Sequence, residues 1–178
     1  IIHFSVNAQG DLSNMNMRRL NVETQPEGMV VDDRNNKLFI GEEQKGIWET
    51  DAFGTKSNRK EFFHNSTNKN PNIRYDIEGL ALLPPHYLVV SSQGNFSYCI
   101  FDIRTREYLS SYKIIPKGQI DGVEETDGIE ILSKPLNEQF SNGIFIVQDG
   151  FNYQDSTLLK QNFKFIDLQE ILNLLESN

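Results

Sequence analysis

At 178 residues the chain has length for one substantial core, and 38% apolar residues with a mean hydropathy of −0.48 fit a soluble protein. No apolar run approaches the roughly 18 residues of a membrane span, and the single cysteine, Cys99, has no partner for an internal disulfide. The 25 acidic against 17 basic residues leave a charge of −8, which repels nucleic acid and other bare polyanions unless a local patch or bound cations reverse the field.

The chain opens Ile1-Ile2-His3 with no initiator methionine or signal peptide, as expected of a processed product or a piece of something longer. Residues 2–6 alternate, 7–11 are turn-forming and 15–22 alternate again, so residues 1–23 read as a hairpin, the outer strands of a preceding unit. Pro26 and Gly28 open the next unit, residues 24–74. Its inner hairpin turns at 32–36, its third and fourth strands are expected at 46–50 and 60–64, and 65–71 reads as a polar loop. In the unit 75–120 the turn is Pro84-Pro85-His86, and strands are expected at 87–91, 97–103 and 107–115. Cys99 falls in the alternating segment 97–101 and is expected to be a buried strand residue. The unit 121–167 begins with an acidic loop and has a longer connection at 133–142 and a strand at 162–166. Asp167 then caps a predicted helix over 168–178, where Ile171, Leu172, Leu174 and Leu175 have helical spacing.

The units share one pattern, a carboxylate, a glycine and an apolar run, seen at Glu27-Gly28, Glu78-Gly79 and Asp127-Gly128. The glycines stand 51 and 49 residues apart, a period in the range of propeller blades. The fold expected is therefore all-β, a partial β-propeller of about three blades in a single domain with a short C-terminal helix. Since propellers typically have about 4 to 8 blades, the ring needs either an upstream half or a second copy to close.

In an antiparallel hairpin the start of the first strand lies beside the end of the second. Glu27 should then neighbour Glu42 and Glu43, Glu78 should neighbour Gln93, and Asp127 should neighbour Asp149, all at one mouth of a central channel. Oxygen donors of this kind suit a hard cation such as Ca²⁺, with Glu27, Glu43, Asp76, Glu78, Asp121, Asp127 and Asp149 as candidate ligands. Zinc fits poorly, because His3, His64 and His86 lack ligand spacing and read as surface or packing residues. Gln93 and Asn95 are expected to face the channel. Lys45 lies beside the mouth, whereas Lys117, Lys160 and Lys164 read as solvated lysines, and Trp48 as a blade-packing aromatic.

In order along the chain, Glu27-Gly28-Met29, Gly41-Glu42-Glu43, Asp76-Ile77-Glu78-Gly79-Leu80, Ser91-Ser92-Gln93-Gly94-Asn95, Asp121-Gly122, Thr126-Asp127-Gly128, Gln148-Asp149-Gly150 and Gln161-Asn162-Phe163-Lys164 resemble the motifs of the β-propeller phytases. The match runs from about Glu23 to Lys164, and covers the C-terminal half of the family's propeller. The resemblance implies a six-bladed ring that uses calcium to hydrolyse phosphate monoesters of myo-inositol hexakisphosphate outside the cytoplasm, in an extracellular or periplasmic setting. It implies calcium-site roles for Glu27, Glu43, Glu78, Asp121 and Asp127, and acidic motif positions for Asp76 and Asp149. Glu43 and Asp127 become the candidates nearest the chemistry, and Gln93 and Lys45 the candidates for inositol phosphate contact. A lactonase-like propeller hydrolase and a non-catalytic calcium-binding module fit the same carboxylate-lined channel.

Overall fold

The computed structural model describes residues 2–53, 60–67 and 72–176. Its strands run in chain order β1 (Ile2–Val6), β2 (Leu12–Arg19), β3 (Pro26–Asp32), β4 (Lys37–Glu42), β5 (Gly46–Asp51), β6 (Lys60–Thr67), β7 (Ile77–Leu83), β8 (Tyr87–Ser92), β9 (Ser97–Asp102), β10 (Glu107–Tyr112), β11 (Ile129–Leu132), β12 (Ile144–Asp149), β13 (Tyr153–Gln154), β14 (Thr157–Leu158) and β15 (Asn162–Asp167). One helix, α1 (Leu168–Glu176), follows.

Each unit becomes an antiparallel meander. The first blade has strand order β3-β4-β5-β6 and the second β7-β8-β9-β10, while the third has three strands, β11-β12-β15, with β13 and β14 as an inserted hairpin. Among the described residues, β1 and β2 pair only with each other. The fourth strand of the first blade runs further than expected: Asn65, Ser66 and Thr67 continue β6, and Thr67 pairs with Gly46. Backbone pairing supplies the order there that side-chain pattern does not. Conversely, the strand expected over 107–115 stops at Tyr112. The side chains of His3 and His64, residues 68–71 of the polar loop, and positions 177–178 of the expected helix lie outside the described residues.

Turns in the first two blades use the same device. The Asp32 carboxylate accepts the amides of Arg34 and Asn35 at 3.1 and 3.3 Å, and Asp102 accepts those of Arg104 and Thr105 at 2.8 and 3.4 Å. A side-chain acceptor aimed two and three residues ahead folds the chain back without a longer loop. The Arg104 side chain bonds Asp102 as well, and holds that carboxyl down at about 2.

The cores are the seams between blades. Phe39, Ile47 and Phe63 from the first blade meet Leu80, Leu88, Val90, Cys99 and Phe101 from the second. Phe63 meets Phe39 and Phe101 edge-on, with ring centres 5.4 and 5.6 Å apart, a favourable arrangement of ring quadrupoles. The Cys99 thiol is buried there, donates to the Asn72 carbonyl at 3.1 Å, and is pushed up to about 12 by desolvation, as suits a packing residue. On the other face of the second blade, Ala81, Val89 and Ile100 meet Ile131, Phe145 and Val147 of the third, and α1 closes that seam with Leu168 and Ile171. Asp167 accepts the Gln169 amide at 3.1 Å and caps the helix. Of the spaced apolar positions, Leu172 and Leu175 pack against the core, whereas Leu174 is exposed.

The repeated glycine has a steric reason. A Cβ on Gly28 would stand 2.4 Å from the Glu78 carbonyl oxygen, and one on Gly79 would stand 3.0 Å from that of Asp127 and 2.7 Å from the Ile129 amide. Innermost strands β3, β7 and β11 therefore approach backbone to backbone, and the carboxylate preceding each glycine is carried to the inner rim. Among the described residues the blades form an arc rather than a closed ring.

Candidate metal centre at the inner rim

Glu43 follows the end of β4. Its amide donates to Gln25 at 2.9 Å and its carbonyl accepts the Ile77 amide of the second blade at 3.1 Å. Asp76 precedes β7, and its carbonyl accepts the Gln93 amide at 2.9 Å. Gly94 makes room for that loop: a Cβ there would fall 1.4 Å from the Tyr75 carbonyl oxygen. These links bring carboxylate oxygens of Glu43, Asp76 and Glu78 within 4.8 Å of one another.

Glu78 is buried, and its carboxyl is pushed up to about 8, by desolvation first and then by the charges of Glu27, Asp127, Glu43 and Asp76. Five of the seven acidic candidates thus act on one centre. Across the second seam, Gln93 Nε2 donates to Asp127 Oδ1 at 2.7 Å, and the Asp127 amide donates to Gln148 Oε1 at 2.7 Å. Glu27 accepts a bond from the Gln25 side chain. Asn95 instead accepts the Ser97 hydroxyl at 2.7 Å. Such unneutralised charge, offered entirely by oxygen atoms, fits a hard divalent cation rather than a soft one.

The remaining two candidates lie in a second cluster. Lys164 is 8% exposed and its ammonium donates to Asp121 Oδ1 and Asp149 Oδ2, both at 2.5 Å, and to the Gly122 carbonyl. Asp149 Oδ1 also accepts the Glu124 amide at 3.1 Å, and Asp121 Oδ2 accepts that of Tyr153 at 2.6 Å. Burial opposes the Asp121 charge, yet the lysine and the amide outweigh it and hold the carboxyl below its ordinary value. Lys164 is therefore not a solvated lysine. Its neighbours Phe163 and Phe165 are exposed, and strict alternation along β15 turns Lys164 inward.

Two adjacent acidic residues also part company. Glu42 is fully buried, and accepts the amides of Glu23 and Thr24 at 2.6 Å each and the Trp48 indole at 2.5 Å, so it fixes the loop leading to Glu27. Trp48 stacks on Phe62 with ring centres 3.6 Å apart. Lys45 pairs with Glu23 at 2.6 Å beside the rim, and that contact raises its pKa.

Repeated antiparallel blades with carboxylates gathered at their inner ends define a propeller protein with an acidic cluster at its inner rim. More narrowly, the chain belongs to the phytase family, whose model, described as Phytase, matches residues 3–178. It is 32% identical over 168 residues to a 3-phytase of Bacillus subtilis (strain 168), an overlap of 92% of this chain and 44% of that protein. The chain thus spans less than half the length of this curated relative. Among solved structures, the Cps50 (Swd1) β-propeller domain of Myceliophteria thermophila aligns with a TM-score of 0.47 and 13% identity, over 83% of this chain and 41% of that one. The tail fiber of Staphylococcus aureus phage P68 aligns with a TM-score of 0.43 and 14% identity, over 83% and 30%.

Proposed function

We propose that the chain carries the cation site of a phytate-hydrolysing propeller, and that calcium is the ion it holds. The observation that carries this reading is the convergence of Glu43, Asp76 and Glu78 within 4.8 Å around a carboxyl raised to about 8. Glu27, Glu43, Asp76, Glu78 and Asp127 would hold the ions at the rim. Asp121 and Asp149 would join them only by exchanging Lys164 for a metal. When bound, calcium supplies positive charge for phosphoryl oxygens and acidifies a water.

The chain's own groups do the rest. Gln93 holds Asp127 by its Oδ1, and in this reading Oδ2 would take the proton that the attacking water gives up. Glu43 is anchored through both backbone groups beside the carboxylate cluster, and in this reading its carboxylate would help to hold the attacking water. In the hydrolysis, water oxygen adds to phosphorus, the ester P–O bond breaks, and the inositol oxygen takes a proton. Lys45, on exchanging Glu23 for substrate, would meet a peripheral phosphate. An extracellular or periplasmic location belongs to the same reading.

The test is phosphate release from phytate by the 178-residue chain in millimolar calcium, against the same chain in chelator and against Glu43→Gln. Release lost in both controls is expected. Lactone opening without phosphate release would point to the lactonase-like hydrolase, and calcium-dependent stabilisation without turnover would leave a binding module.

A further inference from the structure

Tyr75 immediately precedes Asp76, and the backbone on both sides of it is clamped. Ser92 Oγ accepts the Arg74 amide at 2.6 Å and donates to the Arg74 carbonyl at 2.8 Å, while the Asp76 carbonyl accepts the Gln93 amide at 2.9 Å. Between these two bonds the Tyr75 carbonyl lies too close to Gly94 for any side chain at position 94. The Tyr75 side chain packs against the seam that contains Phe39, Leu80 and Val90. A phenol held in this way carries its hydroxyl to one place.

That hydroxyl is shut off from solvent and has no hydrogen-bond partner among the described residues. A buried O–H without an acceptor costs stability, so phenylalanine would serve the seam better. Burial pushes the phenol above its ordinary value and keeps it a donor, and the one charge acting against that shift is Lys45. Lys45 in turn responds to Tyr75 as well as to Glu23 and Glu42. Its present partner, Glu23, has a side chain 75% exposed, and an ion pair at the surface is readily exchanged. The carboxylates of Glu43, Asp76 and Glu78 lie alongside, because Lys45 shares a turn with Glu43 and Tyr75 adjoins Asp76. An orphan O–H donor and an exchangeable ammonium, placed just outside the rim, suit an oxyanion with several acceptor oxygens.

We propose that Tyr75 Oη and Lys45 Nζ together bind a second phosphate group of a ligand whose first phosphate is held at the rim. Lys45 leaves Glu23 and turns to this phosphate, and the Tyr75 hydroxyl donates to one of its oxygens. Tyr75 takes up no proton and touches neither the ester bond nor the attacking water. It sets a preference for compounds that carry more than one phosphate. The inference rests on the phytate reading above.

Calorimetric titration of the 178-residue chain in millimolar calcium, with phytate and with inorganic phosphate in separate arms, tests it. Tyr75→Phe removes only the hydroxyl, which bonds nothing in the free protein, so the variant keeps the melting temperature and calcium affinity of the unaltered chain. It is expected to bind phytate about 10–100-fold more weakly, the range for a hydrogen bond to a charged group. Inorganic phosphate, which has no second group to offer, binds both proteins alike. Lys45→Met weakens phytate binding too, and Tyr75→Phe then costs less than it does alone, as for two groups that share one phosphate. Phytate binding that Tyr75→Phe leaves unchanged overturns the proposal. So does an equal loss for inorganic phosphate, or a fall in calcium affinity, which would make the hydroxyl a support of the rim. An unaltered chain that binds calcium and no phytate overturns the phytate reading itself and this inference with it, a result distinct from the others.

Discussion

Glu78 makes the rim pH-sensitive in the metal-free protein. Its folded value near 8 lies above the ordinary 4.5, so its contribution is complete below about 4.5 and is lost as pH rises through 8. Between those limits the unfolded chain has released a proton that the folded chain keeps. Metal-free protein should therefore melt at progressively lower temperature as pH rises from about 5 to 8, and Glu78→Gln should flatten that slope; a slope equal in both proteins would remove the carboxyl as its source. Lys164 stands in the opposite setting, a buried side chain held between two carboxylates. Lys164→Met leaves Asp149 buried without its partner and should cost about 3–5 kcal/mol in urea unfolding. The inward direction of Lys164 was not legible, because the alternation Phe163-Lys164-Phe165 reads in the sequence as aromatics inward and lysine outward, the reverse of the exposed Phe163 and Phe165 that the structure shows. The division between Glu42 and Glu43 was less accessible. Both lie at the end of one strand, and only the position of Trp48 and the 23–24 amides decides which carboxylate is drawn inward.

Between elements, the glycines set how closely strands and loops approach. Gly94→Ala places a methyl where the Tyr75 carbonyl lies, so the loop carrying Asp76 must move while every carboxylate is retained. Calcium affinity by calorimetry should fall about 10–100-fold, the range for loss of support around ligands. Unchanged affinity would show that Asp76 is not held by this contact. The blade period was legible because carboxylate-glycine pairs recur at 51 and 49 residues. The strand character of Asn65, Ser66 and Thr67 was not, since polar residues there gain order from pairing to β5 rather than from their own period. Nor could spacing separate Asp121 and Asp149 from the rim. That separation depends on the return of β15, which brings Lys164 between them.

For the whole molecule, a charge of −8 repels a polyanion such as the substrate proposed above unless cations reverse the local field. Phytate binding by calorimetry should be undetectable in chelator and appear with calcium, and binding of equal strength in both conditions would place the substrate away from the carboxylates. The arc also sets where the molecule is weakest. Its two seams are independent cores, one sealed by aromatic edges and the other by α1.

The position of Cys99 turns one of those seams into a clock. The thiol lies in the Phe39–Phe101 seam, in contact with Asn72 and screened from reagent while the first two blades remain together. As the chain's sole sulfhydryl, it labels only molecules in which they have parted, so the rate of a single colour reaction counts openings of that seam without any engineered probe.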